Sequence, residues 1–219
     1  RAGIKKEEID LIICATVTPD FLCMPSTACV IAAKLNLPNI MAFDISAACT
    51  GFVYSLSIAK AFIESGMKKN VLIIGAEKYS SILNYQDRNT CFIFGDGAGA
   101  AIISATNNKD EAIIDVECSS DGNYEDLIKT PGGGSKNPCS QEVLDAKLAC
   151  ITMKGNETFK LAVKTLTSDV IKMLEKHKLS NEDITHFIPH QANYRIIKAV
   201  GEALNLTEEK KVITVDKYG

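Results

Sequence analysis

The 219-residue sequence contains no tryptophan, only three histidines (His177, His186 and His190) and no C-x-x-C pair among its eight cysteines. So few imidazoles and no paired thiols leave no ligand set for zinc, and no metal is expected. No uninterrupted apolar run approaches the ~18 residues of a membrane span, the longest candidates being stretches such as Val71-Leu-Ile-Ile-Gly-Ala76, so a soluble chain with no membrane partner is expected. Basic runs are absent too: Lys5-Lys6, Lys68-Lys69 and Lys210-Lys211 are isolated doublets, and 24 Lys and Arg against 27 Asp and Glu leave a net charge of −3. That balance offers no footprint for a phosphate backbone, which argues against nucleic acid as a partner. Several cysteines fall inside apolar runs, as in Leu11-Ile-Ile-Cys14, and no secretory signal is visible, which together point to a reducing cytoplasm. What is present is ordinary: 46% hydrophobic and 23% charged residues suit one large core or two modest ones and exclude disorder, collagen and coiled coil.

Short runs rich in Ile, Val and Leu alternate with helix-length segments. Ile9–Val17, Ile40–Asp44, Val71–Ala76, Ala100–Ser104, Ala112–Cys118, Thr185–Ile188 and Val212–Val215 read as strands. Pro25–Leu35, Thr50–Ser65 (stopped by Gly66), Asn156–His177 and Ala192–Leu204 read as helices. Nearly continuous apolar strands beside crossing helices imply an α/β fold with sheets covered on both faces. Glu8-Ile-Asp-Leu-Ile-Ile-Cys14 is echoed by Asp183-Ile-Thr-His-Phe-Ile-Pro189, so an internal duplication and a chance match both stay open. Asn107–Asp110 is the best linker between two halves, residues 1–107 and 108–219, and Lys129–Ser140 with its Pro131-Gly-Gly-Gly134 reads as a long mobile loop.

Cys49 differs from the other seven cysteines. It follows an apolar strand and the small-residue turn Ile45-Ser-Ala-Ala48, and it opens the helix beginning Thr50-Gly51-Phe52. At a helix N-terminus, free amide groups and the dipole favour thiolate and lower the thiol pKa, and small neighbours let a carbonyl approach. The alternative is a structural cysteine buried at a tight turn. His190, in Phe187-Ile-Pro-His-Gln-Ala-Asn193, also sits at a strand-to-helix turn, where an active-site imidazole and a satisfied structural one are both compatible with the pattern. The Cys-to-His spacing would suit a papain-like protease, but the Ser46-Ala-Ala-Cys49-Thr-Gly context and the lack of Trp oppose it. Phe94-Gly-Asp-Gly-Ala-Gly-Ala100 contains G-x-G-x-x-A, yet a strand rather than a helix follows, so it reads as a tight glycine turn that lets backbones pack closely.

Taken together, Asp44-Ile-Ser-Ala-Ala-Cys49-Thr-Gly-Phe52, Asp87-Arg-Asn-Thr90, Phe94–Ala100, Met153-Lys-Gly-Asn-Glu-Thr-Phe159 and Ile188-Pro-His-Gln-Ala-Asn193 resemble, in order and spacing, the β-ketoacyl-[acyl-carrier-protein] synthase III family of bacterial fatty-acid synthesis. The resemblance covers the chain from end to end. It implies a thiolase-like fold of two similar βα halves with helix-covered sheets, the second half incomplete here, and a homodimer. It also implies a condensing acyltransferase that joins an acyl group from acyl-CoA, through an acyl-cysteine, to malonyl-acyl-carrier protein with loss of CO₂. No cofactor is implied beyond the CoA thioester substrate.

Carried over by residue, Cys49 resembles the nucleophile and His190 the catalytic histidine of condensation. Arg88 resembles the contact to the CoA adenine, and Gly155, Phe159 and Asn193 the pantetheine tunnel. Lys160 and Arg195 resemble basic carrier-protein docking positions. Met24 stands where relatives often carry Phe reaching the partner subunit's acyl pocket, which bears on primer choice. The chain opens at Arg1 without methionine, and the family's catalytic Asn is expected directly after Asp216-Lys-Tyr-Gly219, so residues 1–219 by themselves are expected to be inactive. Alternatives are a synthase III-like enzyme of secondary metabolism, another thiolase-fold enzyme (a biosynthetic thiolase, a hydroxymethylglutaryl-CoA synthase or a plant-type polyketide synthase), and a non-catalytic carrier-binding paralogue. Retention of both Cys49 and His190 opposes the last.

Overall fold

Five consecutive apolar residues form β1 (Leu11–Ala15), and the computed structural model, which describes residues 2–218, leaves none of them more than 6% exposed. A strand that is apolar on both faces must be covered on both. β1 lies between β2 (Met41–Ile45) and β3 (Asn70–Lys78), parallel to each, and β4 (Asp96–Ser104) runs antiparallel along β3, giving the order β2-β1-β3-β4. Alternation along β1 then divides the core. Ile12 and Cys14 pack with Ala28 and Ala32 of helix α1 (Thr27–Lys34), whereas Leu11 and Ile13 pack with Val71, Ile73 and Ala59 of helix α2 (Gly51–Glu64). Each fully buried Leu or Ile contributes about 1.5–3 kcal/mol.

Both helices begin where the sequence signals a start. Ser26 caps α1 by accepting from the Cys29 amide at 3.2 Å, with Pro25 one residue earlier. The α1 N-terminus is also held by the Asp44 carboxylate, which accepts from the amides of Thr27 and Ala28 at 2.7 Å each. A carboxylate bridging from a strand to two helical N–H groups meets both the unsatisfied donors and the positive end of the dipole. α2 ends at Glu64 and Gly66 follows with φ +74°, the left-handed conformation of a helix stop.

The described residues divide into two compact units, 2–81 with 96–120, and 82–95 with 121–218. The boundary expected at residue 107 falls inside the Asp96–Ser120 segment. In the second unit β5 (Ile128–Lys129) and β6 (Thr152–Met153) form a short antiparallel pair, and helix α3 (Gln141–Asp145) is capped by Ser140. Helix α4 (Gly155–His177) packs against helix α5 (Tyr194–Ala203) through Val163, Leu166 and Val170 on one side and Ile196, Val200 and Leu204 on the other. A short helix α6 (Val215–Tyr218) follows. Gly219, the last residue of the motif expected to precede the catalytic Asn, lies outside the described residues.

Three expected strands do not form. Ala112–Cys118 has no ladder partner among the described residues, Thr185–Ile188 is reduced to one parallel bridge, Phe187 to Lys211, and Val212–Val215 follows that bridge without forming a strand, Val215 opening the next helix. Two hydrogen bonds hold that bridge, Phe187 N–H to Lys210 O at 2.7 Å and Val212 N–H to Phe187 O at 3.0 Å. β-propensity needs a neighbouring strand to become a ladder, and here one rung is paired. The glycine stretch is also different from its reading. Gly97 and Gly99 lie within β4, paired with Glu77 and Gly75, and a Cβ added at either would meet nothing within 4 Å. It is a strand and not a tight turn, because extended pairing with β3 accommodates both glycines. The Lys129–Ser140 loop is pinned at its start: Gly132 N–H donates to Leu148 O at 2.7 Å, and a Cβ at Gly132 would lie 2.6 Å from Val143 Cγ1.

Replacing Asp44 with Ala leaves two helical amides without their carboxylate. The expected outcome is a loss of about 1.5–3 kcal/mol of unfolding free energy in urea with an unchanged m-value, the range for hydrogen bonds to a charged group.

Candidate active site

In the first unit the candidate nucleophile is placed by the end of the sheet. β2 finishes at Ile45, whose carbonyl accepts from the Thr16 amide at 3.1 Å, and the chain then turns through Ala48, a non-glycine residue at φ +46°. Cys49 lies in a 3-10 turn, Ala48–Thr50, immediately ahead of α2 rather than inside it. The Thr50 hydroxyl donates to Ala47 O at 2.7 Å and closes the turn. Gly51 allows the docking of α2 on the sheet, since a Cβ there would sit 2.8 Å from the Ala15 Cβ at the end of β1. One turn further on, the buried Ser55 hydroxyl donates back to Gly51 O at 2.9 Å. Cys49 is thereby exposed at the C-terminal end of the parallel pair β1–β2, of which β1 is buried.

Its electrostatics differ from the sequence expectation. The Cys49 thiol lies above, not below, its ordinary value: loss of solvation raises it most, its own backbone N–H lowers it, and the Glu77 carboxylate raises it. The amide acts in the expected direction and is outweighed, because removing water from a thiolate disfavours the charged form. Cys14, fully buried in β1, is pushed up to about 12, by burial first and then by Asp44, Glu77 and Asp20. Of these two thiols, only Cys49 is open to reagents.

Glu77 lies in no motif of the sequence. Its carboxylate accepts from the Val17 amide at 2.9 Å and the Thr18 hydroxyl at 2.7 Å, and that hydroxyl accepts from the Lys78 amide at 2.7 Å. The turn after β1 is thus stapled to the end of β3. Tyr79 follows, its phenol raised by burial and then by Cys49 and Glu77, so all three residues share one neighbourhood. The available signal was an acid directly after the apolar run Val71–Ala76, where a charge at a buried strand end requires partners. Met24, carried over as an acyl-pocket position, is 78% exposed in the loop before α1.

In the second unit His190 follows the bridge at Phe187 and the buried Pro189. The Gln191 side chain fixes this turn. Its Nε2 donates to Pro189 O at 3.0 Å and to Val212 O at 3.1 Å, while its Oε1 accepts from the amides of Thr214 at 2.7 Å and Val215 at 3.1 Å. The His190 residue is exposed, and partial loss of solvation lowers its imidazole below the ordinary 6.5, which keeps it neutral near pH 7. Asn193 caps α5, its Oδ1 accepting from the Arg195 amide at 2.8 Å, so that oxygen is committed to the helix. Arg195 is exposed in the first turn of α5. Gly155, Phe159 and Lys160 occupy the first two turns of α4, with Gly155 and Phe159 at i and i+4 on one face and Lys160 exposed beside them. Arg88 is exposed in the loop Asn84–Phe94, its guanidinium 5.5 Å from the centre of the Phe92 ring.

Reaction of Cys49 with iodoacetamide, followed against pH by peptide mass spectrometry, is expected to show a midpoint above the ordinary thiol value. Glu77→Gln keeps the side chain's size and removes its charge, so the midpoint is expected to move down, with Cys14 unlabelled in both proteins.

Comparison with known proteins adds to this geometry. A family model described as 3-oxoacyl-[acyl-carrier-protein (ACP)] synthase III matches residues 43–122, and one described as the C terminal of that synthase matches residues 174–219. The chain is 84% identical over 219 residues to β-ketoacyl-[acyl-carrier-protein] synthase III of Aliarcobacter butzleri, and 67% identical over 219 residues to that of a Sulfurovum species. It covers 66% and 64% of those relatives' lengths, while all of this chain is covered in both cases. The crystal structure of 3-oxoacyl-[acyl-carrier-protein] synthase III from Aquifex aeolicus superposes with a TM-score of 0.87 at 43% identity, covering 97% of this chain and 64% of that one. The α/β architecture is therefore the thiolase-like fold of these synthases. With matches on both sides of its centre and relatives along its whole length, the chain belongs to the β-ketoacyl-[acyl-carrier-protein] synthase III family.

Proposed function

We propose that the protein containing this chain is a condensing acyltransferase that starts fatty-acid synthesis, taking an acyl group from acyl-CoA onto Cys49 and transferring it to malonyl-acyl-carrier protein. The observation that carries the reading is an exposed cysteine at a small-residue strand-to-helix turn in a chain of this family. The thiol sulfur attacks the thioester carbonyl and CoA leaves as thiol, which splits one difficult carbon–carbon bond formation into two easier steps. Malonyl-carrier protein then loses CO₂, its enolate carbon attacks the acyl-cysteine carbonyl, and the Cys49 sulfur leaves to regenerate the thiol. No resident cofactor is assigned, since the CoA thioester is itself a substrate.

His190 is assigned to the enolate. A neutral imidazole, which its lowered pKa supports, can donate one N–H to an oxygen that gains charge only as CO₂ departs. Arg88 is assigned to the CoA nucleotide, Gly155, Phe159 and Asn193 to the pantetheine arm, Met24 to primer choice, and Lys160 with Arg195 to the acidic carrier protein. Arg195 fits the docking role because it is exposed and forms no ion pair among the described residues, whereas its neighbour Lys198 pairs with Glu202 at 3.8 Å. A homodimer in the cytoplasm completes the reading. Among the described residues no helix is long and apolar enough to cross a membrane.

Incubating the full-length protein with acetyl-CoA is expected to add one acetyl group, on Cys49 alone among the eight cysteines, as read by peptide mass spectrometry. Labelling elsewhere with Cys49 untouched refutes the assignment. His190→Ala is expected to retain acyl-enzyme formation and to lose condensation by about 10²–10³-fold, the usual cost of one preorganised donor. Equal loss in both half-reactions makes His190 the base for the Cys49 thiol, whose raised pKa means that a proton must be removed.

A further inference from the structure

The loop that carries Arg88 is irregular in class but helical in geometry. The Cys91 amide donates to Asp87 O at 3.1 Å and the Phe94 amide to Thr90 O at 3.3 Å, both i to i+4 bonds. The Asp87 carboxylate ties the start of the turn, accepting from the Asn89 amide at 2.9 Å and the Thr90 hydroxyl at 3.1 Å, and Thr90 is fully buried. The outer end is held by Lys147, whose ammonium donates to Gln86 Oε1 and to Asn84 Oδ1. On such a turn residues 88 and 92 face the same way, one above the other. The consequence is a cation–π contact, with the Arg88 guanidinium carbon over the Phe92 ring and 5.5 Å from its centre.

Two details show that this pair is not ordinary packing. Phe92 is 71% exposed, so it contributes little to a core. Arg88 has no carboxylate partner among the described residues, so its in-plane N–H donors are uncommitted. A guanidinium has two faces, and an aromatic ring on one leaves the other open to a second planar group.

We propose that Phe92 is a positioning residue for Arg88: by holding the guanidinium over its ring it keeps the arginine side chain in one orientation, ready to meet the purine of a CoA thioester. The inference rests on the reading of Arg88 as a CoA contact, and it adds a residue that neither a motif nor a carried-over role had marked. Holding the long arginine side chain in one orientation before binding reduces the conformational entropy lost on binding.

The experiment measures acyl-enzyme formation by the full-length protein with acetyl-CoA and with acetyl-pantetheine, which has the same thioester and no nucleotide. Phe92→Ala is expected to raise KM for acetyl-CoA about 2–5-fold, the strength of an exposed cation–π contact, with kcat and the kinetics on acetyl-pantetheine unchanged. Phe92→Tyr is expected to behave as the unaltered protein, and Phe92→Leu, similar in bulk but without a π face, as Phe92→Ala. The proposal is overturned if Phe92→Leu retains the original KM, or if Phe92→Ala affects both substrates alike. Arg88→Ala separates the two levels: no change in KM for acetyl-CoA removes the CoA reading itself, whereas a rise there with Phe92→Ala silent removes only the role of Phe92.

Discussion

The first unit depends on one constraint, the burial of β1 on both faces. Leu11 and Ile13 face α2 while Ile12 and Cys14 face α1, so two helices must cross the same strand on opposite sides. The helix on the α2 side can come close only because Gly51 has no Cβ to meet Ala15. That approach fixes where α2 begins, and the turn just ahead of it carries Cys49. The position of Cys49 is therefore a by-product of how a fully apolar strand is covered. The same ends of β1 and β3 are tied by Glu77, which takes the Val17 and Thr18 donors that no strand supplies.

That tie has a chemical consequence. A carboxylate needed to hold two loop donors also lies near enough to Cys49, Cys14 and Tyr79 to raise all three acids. Placement of the thiol and its acidity thus respond to different parts of the fold. The amide at the head of the helix lowers the thiol while surrounding protein and Glu77 raise it, and the balance favours the neutral form. At an exposed position, a resting thiol is also less open to adventitious oxidation than a thiolate.

The second unit holds its histidine by different means. A single bridge at Phe187 provides little sheet, and Gln191 replaces the missing ladder by joining the His190 turn to the Val212–Val215 segment through three hydrogen bonds, with a fourth to Pro189 O inside the turn. Asn193 then opens α5, and the apolar face of that helix, Val200 and Leu204, anchors the turn to α4. Side-chain amides, able to donate and accept at once, suit a connection of this kind.

Much of this was legible in the chain itself. The unbroken apolar run Leu11–Ala15, the Ser26 cap, the Gly66 stop and the periodic Asn156–His177 each carry their own local reason, and each element lies within a few residues of its expected place. Cys49 and His190 could be singled out because small residues or Pro and Gln fix the turns around them. The rest required partners distant in sequence. Whether Ala112–Cys118 or Val212–Val215 becomes a strand depends on a neighbour to pair with, and whether Gly97 and Gly99 make a turn or a strand depends on β3 lying alongside. Glu77 and Phe92 lie in no motif; one acquires its contacts from Val17 and Thr18, about sixty residues away, and the other from a loop that winds helically without helix-forming composition. The sign of the Cys49 shift belongs to the same class: the helix end is written in the sequence, but desolvation is a property of everything packed around the sulfur, and only the tertiary structure decides it.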